Sequence, residues 1–189
     1  MKRRTAIFGL AATTMPALVT RALAQAAAAP AAPVSDVLSI ANNQKFLADY
    51  AKQPHIVIRP SGLMFRIIQN GYGKRPQSTD SVKVYYTGKL INGVVFDGTS
   101  PGLPATFRMN SGLVTGWVEA LEIMREGDHW QLVIPPALGY GAHGSADGQT
   151  IPPNQDLIFD LKLIETTPAP KRGEKGYVPD PSDKEDQDQ

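Results

Sequence analysis

The sequence predicts an α+β domain: an antiparallel sheet with one short helix set into its connections. Three observations predict it. Apolar and polar residues alternate over residues 82–89 and again over 157–165. Asn92-Gly93 stands between two strand-like runs, a strong short-range hairpin signal. Between the later strands the period changes, and Trp117, Ala120, Leu121 and Met124 recur at helical spacing. One helix laid on one sheet face is a stable way of burying that face.

The chain opens with Lys2, Arg3 and Arg4, a moderately apolar run over 6–19, and a small-x-small site at Ala22-Leu23-Ala24. This is the layout of a secretory signal peptide over residues 1–24, and the run is too short to span a membrane. A Sec signal is the simpler expectation, while Arg3-Arg4 and Arg21 also suit a twin-arginine signal. Export to the periplasm or an equivalent space is expected, and a chain without cysteine needs no disulfide there.

Residues 25–34 read as an Ala/Pro-rich flexible leader. Ser35 is read as the N-cap of a helix reaching Lys52 and stopped by Pro54, a helical extension over 35–54. Its apolar stripe holds Val37, Leu38, Ala41, Phe46, Leu47, Tyr50 and Ala51, expected against the domain edge or a partner.

Residues 55–166 form the domain proper. Leu63, Phe65 and Ile67 alternate with Met64, Arg66 and Ile68 up to Asn70-Gly71. Val82, Val84 and Tyr86 share a face opposite Lys83, Tyr85, Thr87 and Lys89. The Asn92-Gly93 turn, with both residues expected at positive φ, leads into a strand over 94–97. A short strand over 106–109 precedes the helix, which Gly127 ends. Strands over 129–134 and 157–165 follow, the last setting Leu157, Phe159, Leu161 and Leu163 opposite Asp160 and Lys162. Residues 167–189 are polar and Pro-punctuated, and read as a disordered charged tail.

A length of 189 residues supports one core, and a formal net charge of +1 provides no field for nucleic acid. No later stretch approaches transmembrane length, so no membrane span is expected in the mature form. His55, His129 and His143 have no metal-like spacing, and neither a metal nor a cofactor is expected. Glu119 and Glu122 read as a solvated helix face, while Asp147 and Asp156 read as turn or strand-end caps. Gly71-Tyr72-Gly73-Lys74 lacks the spacing of a phosphate loop, and Ser111 and Ser145 lack a nucleophile elbow.

The aromatic residues fall in suggestive positions. A sheet curling around the helix brings Tyr86, Phe96, Trp117 and Phe159 together at one end, with Tyr140 in a Gly-flanked loop. The landmarks VKVYYTGKLINGVVFDGT, TGWVEAL, PPALGYG and IPPNQDLIFDLKLIE follow in order between Val82 and Glu165. In that order they resemble an FKBP-type peptidyl-prolyl cis/trans isomerase of the bacterial exported kind.

The resemblance implies a strongly twisted half-barrel sheet wrapped around one short helix. It also implies a pocket whose floor is Trp117 and whose walls include Tyr86, Phe96, Leu113, Val114 and Phe159. Tyr140 and the backbone N–H of Ile151 are then expected to hold substrate carbonyls, with Asp97 at the rim and Tyr86 orienting it. Ala105 stands where many members carry an aromatic residue, and Leu138, expected with Leu113, Val114, Ile151 and Phe159 among the substrate-binding residues, stands where some carry a second tyrosine. The loop over 141–150 is slightly extended. These departures bear on macrolide inhibitors and substrate preference, not on the reaction. Long dimerising helices precede this domain in the macrophage-infectivity-potentiator branch; residues 35–53 are too short for that, so a monomer is expected.

Such a pocket needs no nucleophile, metal or base. Rotation about a prolyl amide is slow because its C–N bond has partial double-bond character, with a barrier of roughly 18–20 kcal/mol. At the twisted state the amide loses resonance and becomes less dipolar, so a water-poor pocket disfavours the planar ground state more. The expected substrates are proline-containing unfolded or partly folded proteins. The alternative is a non-catalytic chaperone or scaffold module that holds apolar segments in the same groove.

Overall fold

The computed structural model describes residues 36–147, 149–170 and 174; the expected signal peptide, the expected leader and most of the expected tail lie outside them. Seven strands form one antiparallel sheet: β1 (Val57–Ile58), β2 (Met64–Gln69), β3 (Ser81–Leu90), β4 (Val95–Gly98), β5 (Ala105–Arg108), β6 (His129–Ile134) and β7 (Leu157–Thr167). Two helices accompany it, α1 (Ile40–Tyr50) and α2 (Thr115–Ile123). The strand order is β1-β2-β6-β7-β3-β4, with β5 pairing β3 beyond the stretch that β4 occupies, and the sheet does not close.

The longest strand, β7, is central because its alternation is the cleanest. Leu157, Leu161 and Leu163 are fully buried and Phe159 is 4% exposed. It pairs with β6 on one side and with β3 on the other, from Leu90↔Leu157 to Ser81↔Thr167. The face it shares with Val82, Val84, Leu132 and Ile134 meets Trp117, Ala120 and Leu121 of α2 in one core. Gly116 makes that approach close: a Cβ there would stand 2.7 Å from Ile134 Cγ2.

The N-terminal helix differs from the expectation in both its start and its site. It is capped by Ser39, whose hydroxyl accepts from Asn42 N at 3.3 Å, after a 3₁₀ turn at Asp36–Leu38. It packs on the second sheet face rather than at an edge. There Tyr50, Met64 and Val133 form a separate buried cluster with Phe46, Leu47 and Ile158 against it. Because neighbouring residues on a strand point to opposite faces, Met64 and Phe65 are both buried, one beneath each helix. Asn43, only 3% exposed, ties α1 down: its Nδ2 donates to Ser39 O and Gln155 Oε1, and its Oδ1 accepts from Asp156 N at 2.8 Å.

Two further departures are local. Strand β1, which the sequence pattern does not signal, pairs Val57 with Phe65. At the hairpin only Gly93 takes a positive φ, 83°. Gly93 N donates to Leu90 O and Leu90 N to Val94 O, both at 2.9 Å, and Asn92 Oδ1 accepts from Val94 N. This is the longer loop with glycine in the left-handed position, not a two-residue turn.

Candidate active site

At one end of the sheet a cavity of about 140 Å³ opens between β3, β4, β5, β7 and the start of α2. That is below the roughly 300–1,000 Å³ of ordinary small-molecule sites, so it suits one ring-sized group. Trp117, 3% exposed, presents its indole from the first turns of α2. Three rings stand nearly perpendicular to it: Tyr86 at 5.0 Å and 87°, Phe159 at 5.2 Å and 78°, and Phe107 at 5.7 Å and 90°. Phe96 adds an edge contact to Phe159 at 5.5 Å. Edge-to-face geometry is the favoured arrangement of such rings.

The β3–β4 pairing sets the polar rim. Asp97 sits opposite Gly88, and Tyr86 is held by Thr99, whose Oγ1 accepts from Tyr86 N at 3.1 Å. That brings the Tyr86 hydroxyl to Asp97 Oδ2 at 2.7 Å, while Asp97 Oδ1 accepts from Gly98 N at 2.8 Å. Burial, and then the bond to Asp97, hold the Tyr86 phenol well above its ordinary range, so it stays a donor.

Gly88 leaves the room that Phe96 and Phe159 fill. A Cβ there would lie 2.6 Å from Phe96 Cζ and 2.8 Å from Phe159 Cε1. Gly88→Ala is therefore expected to drive Phe96 off Phe159 and to cost ~1–2 kcal/mol in denaturant unfolding, as overpacking does. Because Phe96 is half-buried at the rim and can swing outward, the loss should show more in the cavity than in the fold.

Of the residues expected in the site, Tyr86, Phe96, Asp97, Leu113, Val114, Trp117, Tyr140 and Phe159 line this cavity. Ile151 does not. It is 2% exposed and lines an adjoining groove that shares Phe96, Asp97 and Tyr140 with the cavity. Its N–H, expected to bind a substrate carbonyl, donates instead to Ser145 Oγ at 2.9 Å, and its carbonyl accepts from Ser145 N. The loop closes on itself and uses those groups. Asp147 completes the closure, accepting from the Ser145 and Thr150 hydroxyls and from the N–H groups of Gln149 and Thr150. These donors, Ser145 first, hold its carboxyl well below the usual range.

Leu138 lines neither space; it packs half-buried against the core. Ala105 also stays outside the cavity, pairing with Val84. Phe107, two residues on and on the same face of β5, supplies an aromatic wall that the sequence reading missed. The period-two rule applied to β5 would have found it. Val114 N–H, at the N-cap of α2, has no acceptor among the described residues and belongs to a lining residue.

Asp156 caps nothing. It is fully buried, and neither carboxylate oxygen has a donor among the described residues. No cluster of three or more His, Asp or Glu side chains among the described residues stands ready to hold a metal ion.

Fold and site together define a cavity sized for one small ring, walled by aromatic edges beside a fixed carboxylate. The family model for FKBP-type peptidyl-prolyl cis-trans isomerase matches residues 73–164. The chain is 45% identical over 126 residues to the FKBP-type 22 kDa peptidyl-prolyl cis-trans isomerase of Escherichia coli, covering 66% of this chain and 60% of that one. It is 47% identical over 133 residues to a macrophage infectivity potentiator of Trypanosoma cruzi, covering 69% and 64%. Among solved structures, a peptidyl-prolyl cis-trans isomerase from Pseudomonas syringae pv. tomato superposes with a TM-score of 0.63 at 31% identity, covering 74% of this chain and 100% of that one. FkpA of Escherichia coli gives 0.64 at 37% identity, over 69% of this chain and 60% of that one. The chain belongs to the FKBP-type peptidyl-prolyl cis-trans isomerase family. It spans less than two thirds of the length of the curated relatives named here.

Proposed function

We propose that this chain is a peptidyl-prolyl cis/trans isomerase acting on proline-containing segments of folding exported proteins. The observation that carries the reading is the Trp117-floored cavity with Asp97 fixed at its mouth. The proline ring enters among Trp117, Tyr86, Phe107 and Phe159 and loses water. The preceding carbonyl stays at the rim, where the Tyr140 hydroxyl and the Val114 N–H are the donors. Val114 is the better donor, because its N–H is unused among the described residues while that of Ile151 is bonded to Ser145 Oγ. As the C–N bond twists, the amide dipole weakens and the dry pocket favours the twisted form. Asp97, oriented by Tyr86, supplies a fixed negative end that needs no reorganisation during the twist.

The monomer reading rests on α1, whose eleven residues lie on the chain's own sheet rather than running on as a long dimerising helix. Export rests on the N-terminal signal and on relatives such as one named outer membrane protein MIP, of Legionella longbeachae.

The test is a protease-coupled isomerisation assay of the full chain on Leu-Pro and Ala-Pro tetrapeptides. Wild type should accelerate the slow phase, and Asp97→Ala should lower kcat/KM by about tenfold, ~1.4 kcal/mol. A folded wild type that binds unfolded protein yet accelerates no peptide would make the groove a holding site only.

A further inference from the structure

A second groove runs along the first edge of the sheet and shares no lining residue with the aromatic cavity. It holds about 700 Å³. One wall is apolar, built from Val57, Ile67, Ile123 and the stacked pair of Phe65 and Trp130, whose rings lie 4.4 Å apart. Val57 and Ile67 remain 44% and 41% exposed, and Tyr72 at the rim is 91% exposed.

The same lining carries two cations, Arg75 and Arg125. Arg75 has no ion-pair or hydrogen-bond partner among the described residues, and Arg125 donates its side chain only to Gly73 O at 3.2 Å. Asp128, the one carboxylate lining the groove, is 4% exposed and already accepts from Gly71 N and Arg125 N. The groove therefore presents two open guanidinium groups beside an uncovered apolar strip.

Strand β7 ends at Thr167 beside this rim. Thr166 N donates to Glu126 Oε1 at 2.7 Å, and Glu126 in turn holds Gly73 N through its carbonyl and Lys74 N through Oε2. The end of β7 is thus tied through one residue to the loop carrying Tyr72 and Arg75. Further on come Tyr177, Val178 and Pro179, and then five carboxylates against the single Lys184 over 180–189. The ten steps of chain from Thr167 to Tyr177 reach roughly 33–36 Å when extended, ample for the rim beside them.

We propose that residues 177–189 of this chain dock in its own edge groove. Tyr177, Val178 and Pro179 cover the Val57–Ile67 wall, and the following carboxylates face Arg75 and Arg125. Tethering makes weak contacts sufficient, because a short linker holds the segment at an effective concentration in the millimolar range. The docked tail covers an apolar strip on the β1–β2 edge, where exposed strand residues invite pairing with other chains.

The chain has no cysteine, so Ser182→Cys can carry a single spin label on the full-length protein. Amide signals of residues 57, 67, 72 and 75 should be lost beside the oxidised label and return on reduction. Arg75→Glu with Arg125→Glu should restore those signals, and recharging the tail to Lys at 180, 183, 185, 186 and 188 in that background should abolish them again. Isomerisation kinetics should stay unchanged throughout, since no varied residue lines the cavity. Signals that survive in the wild-type background, or a loss that charge reversal leaves intact, would overturn the proposal. So would a loss seen only when labelled protein is mixed with an isotope-labelled unmodified copy, which places the tail on a second molecule.

Discussion

Trp117→Ala is expected to cost the fold ~3–5 kcal/mol, the range for removing a large aromatic residue from a core, and to reduce isomerisation to the uncatalysed rate. The indole is 3% exposed and in edge contact with Tyr86, Phe107 and Phe159, so its loss leaves three rings without a common partner. Those rings belong to three different strands, β3, β5 and β7, and have no single way of collapsing. Denaturant unfolding measures the first effect and the peptide assay the second. Trp117→Leu separates the two: it retains more of the volume, should lose less stability, and should still lower kcat/KM by about tenfold or more, ~1.4 kcal/mol. A Trp117→Leu protein with full activity would show that the floor needs bulk alone.

The second large effect concerns stability against pH. Burial pushes the Asp156 carboxyl up from an ordinary 3.8 to about 7, with no donor to hold the charged form. Below about pH 4 the group is protonated in folded and unfolded chains alike and contributes nothing to the slope. Between about 4 and 7 the folded state keeps a proton that the unfolded state has released, so stability falls as pH rises. Above about 7 the buried charge is fully felt, on the order of 4 kcal/mol. Asp156→Asn removes the ionisation and should flatten the curve between pH 4 and 7.5, although an unpartnered amide recovers only part of the gain. Urea melts at half-unit pH steps measure this. An unchanged slope in the variant would mean that Asp156 is not the group responsible.

Much of the core was legible because it obeys a period. Leu157, Phe159, Leu161 and Leu163 alternate without interruption and occupy the strand with partners on both sides. Trp117, Ala120, Leu121 and Met124 follow the helical spacing, and all four are buried. The aromatic members of the site could be read for the same reason, since the strands that hold them register against one another.

What escaped was polar or depended on local closure. Asn43 and Asp156 are buried where composition expects exposure, and only the docking of α1 on the second sheet face puts them there. A stripe on a helix reveals that something covers it, not which surface does. Ser35 and Ser39 are both fit N-caps, and nothing in the pattern chooses between them. The family resemblance implied a substrate carbonyl for the Ile151 N–H, and nothing in the pattern reveals that Ser145 Oγ, six residues away in a glycine-rich loop, accepts from it. Leu138 and Phe107 exchanged roles because an alignment of motifs locates a residue in the chain but not the face from which it points.

The measurement closest to the central claim is exchange NMR on an Ala-Pro peptide at equilibrium, without a coupling protease. With catalytic amounts of the protein, cis–trans exchange should quicken in proportion to protein concentration while the cis:trans ratio of the free peptide stays fixed. Asp97→Ala should weaken that exchange. Peptide signals that shift or broaden on binding, with no gain in cis–trans exchange, would contradict catalysis and leave the cavity a binding site.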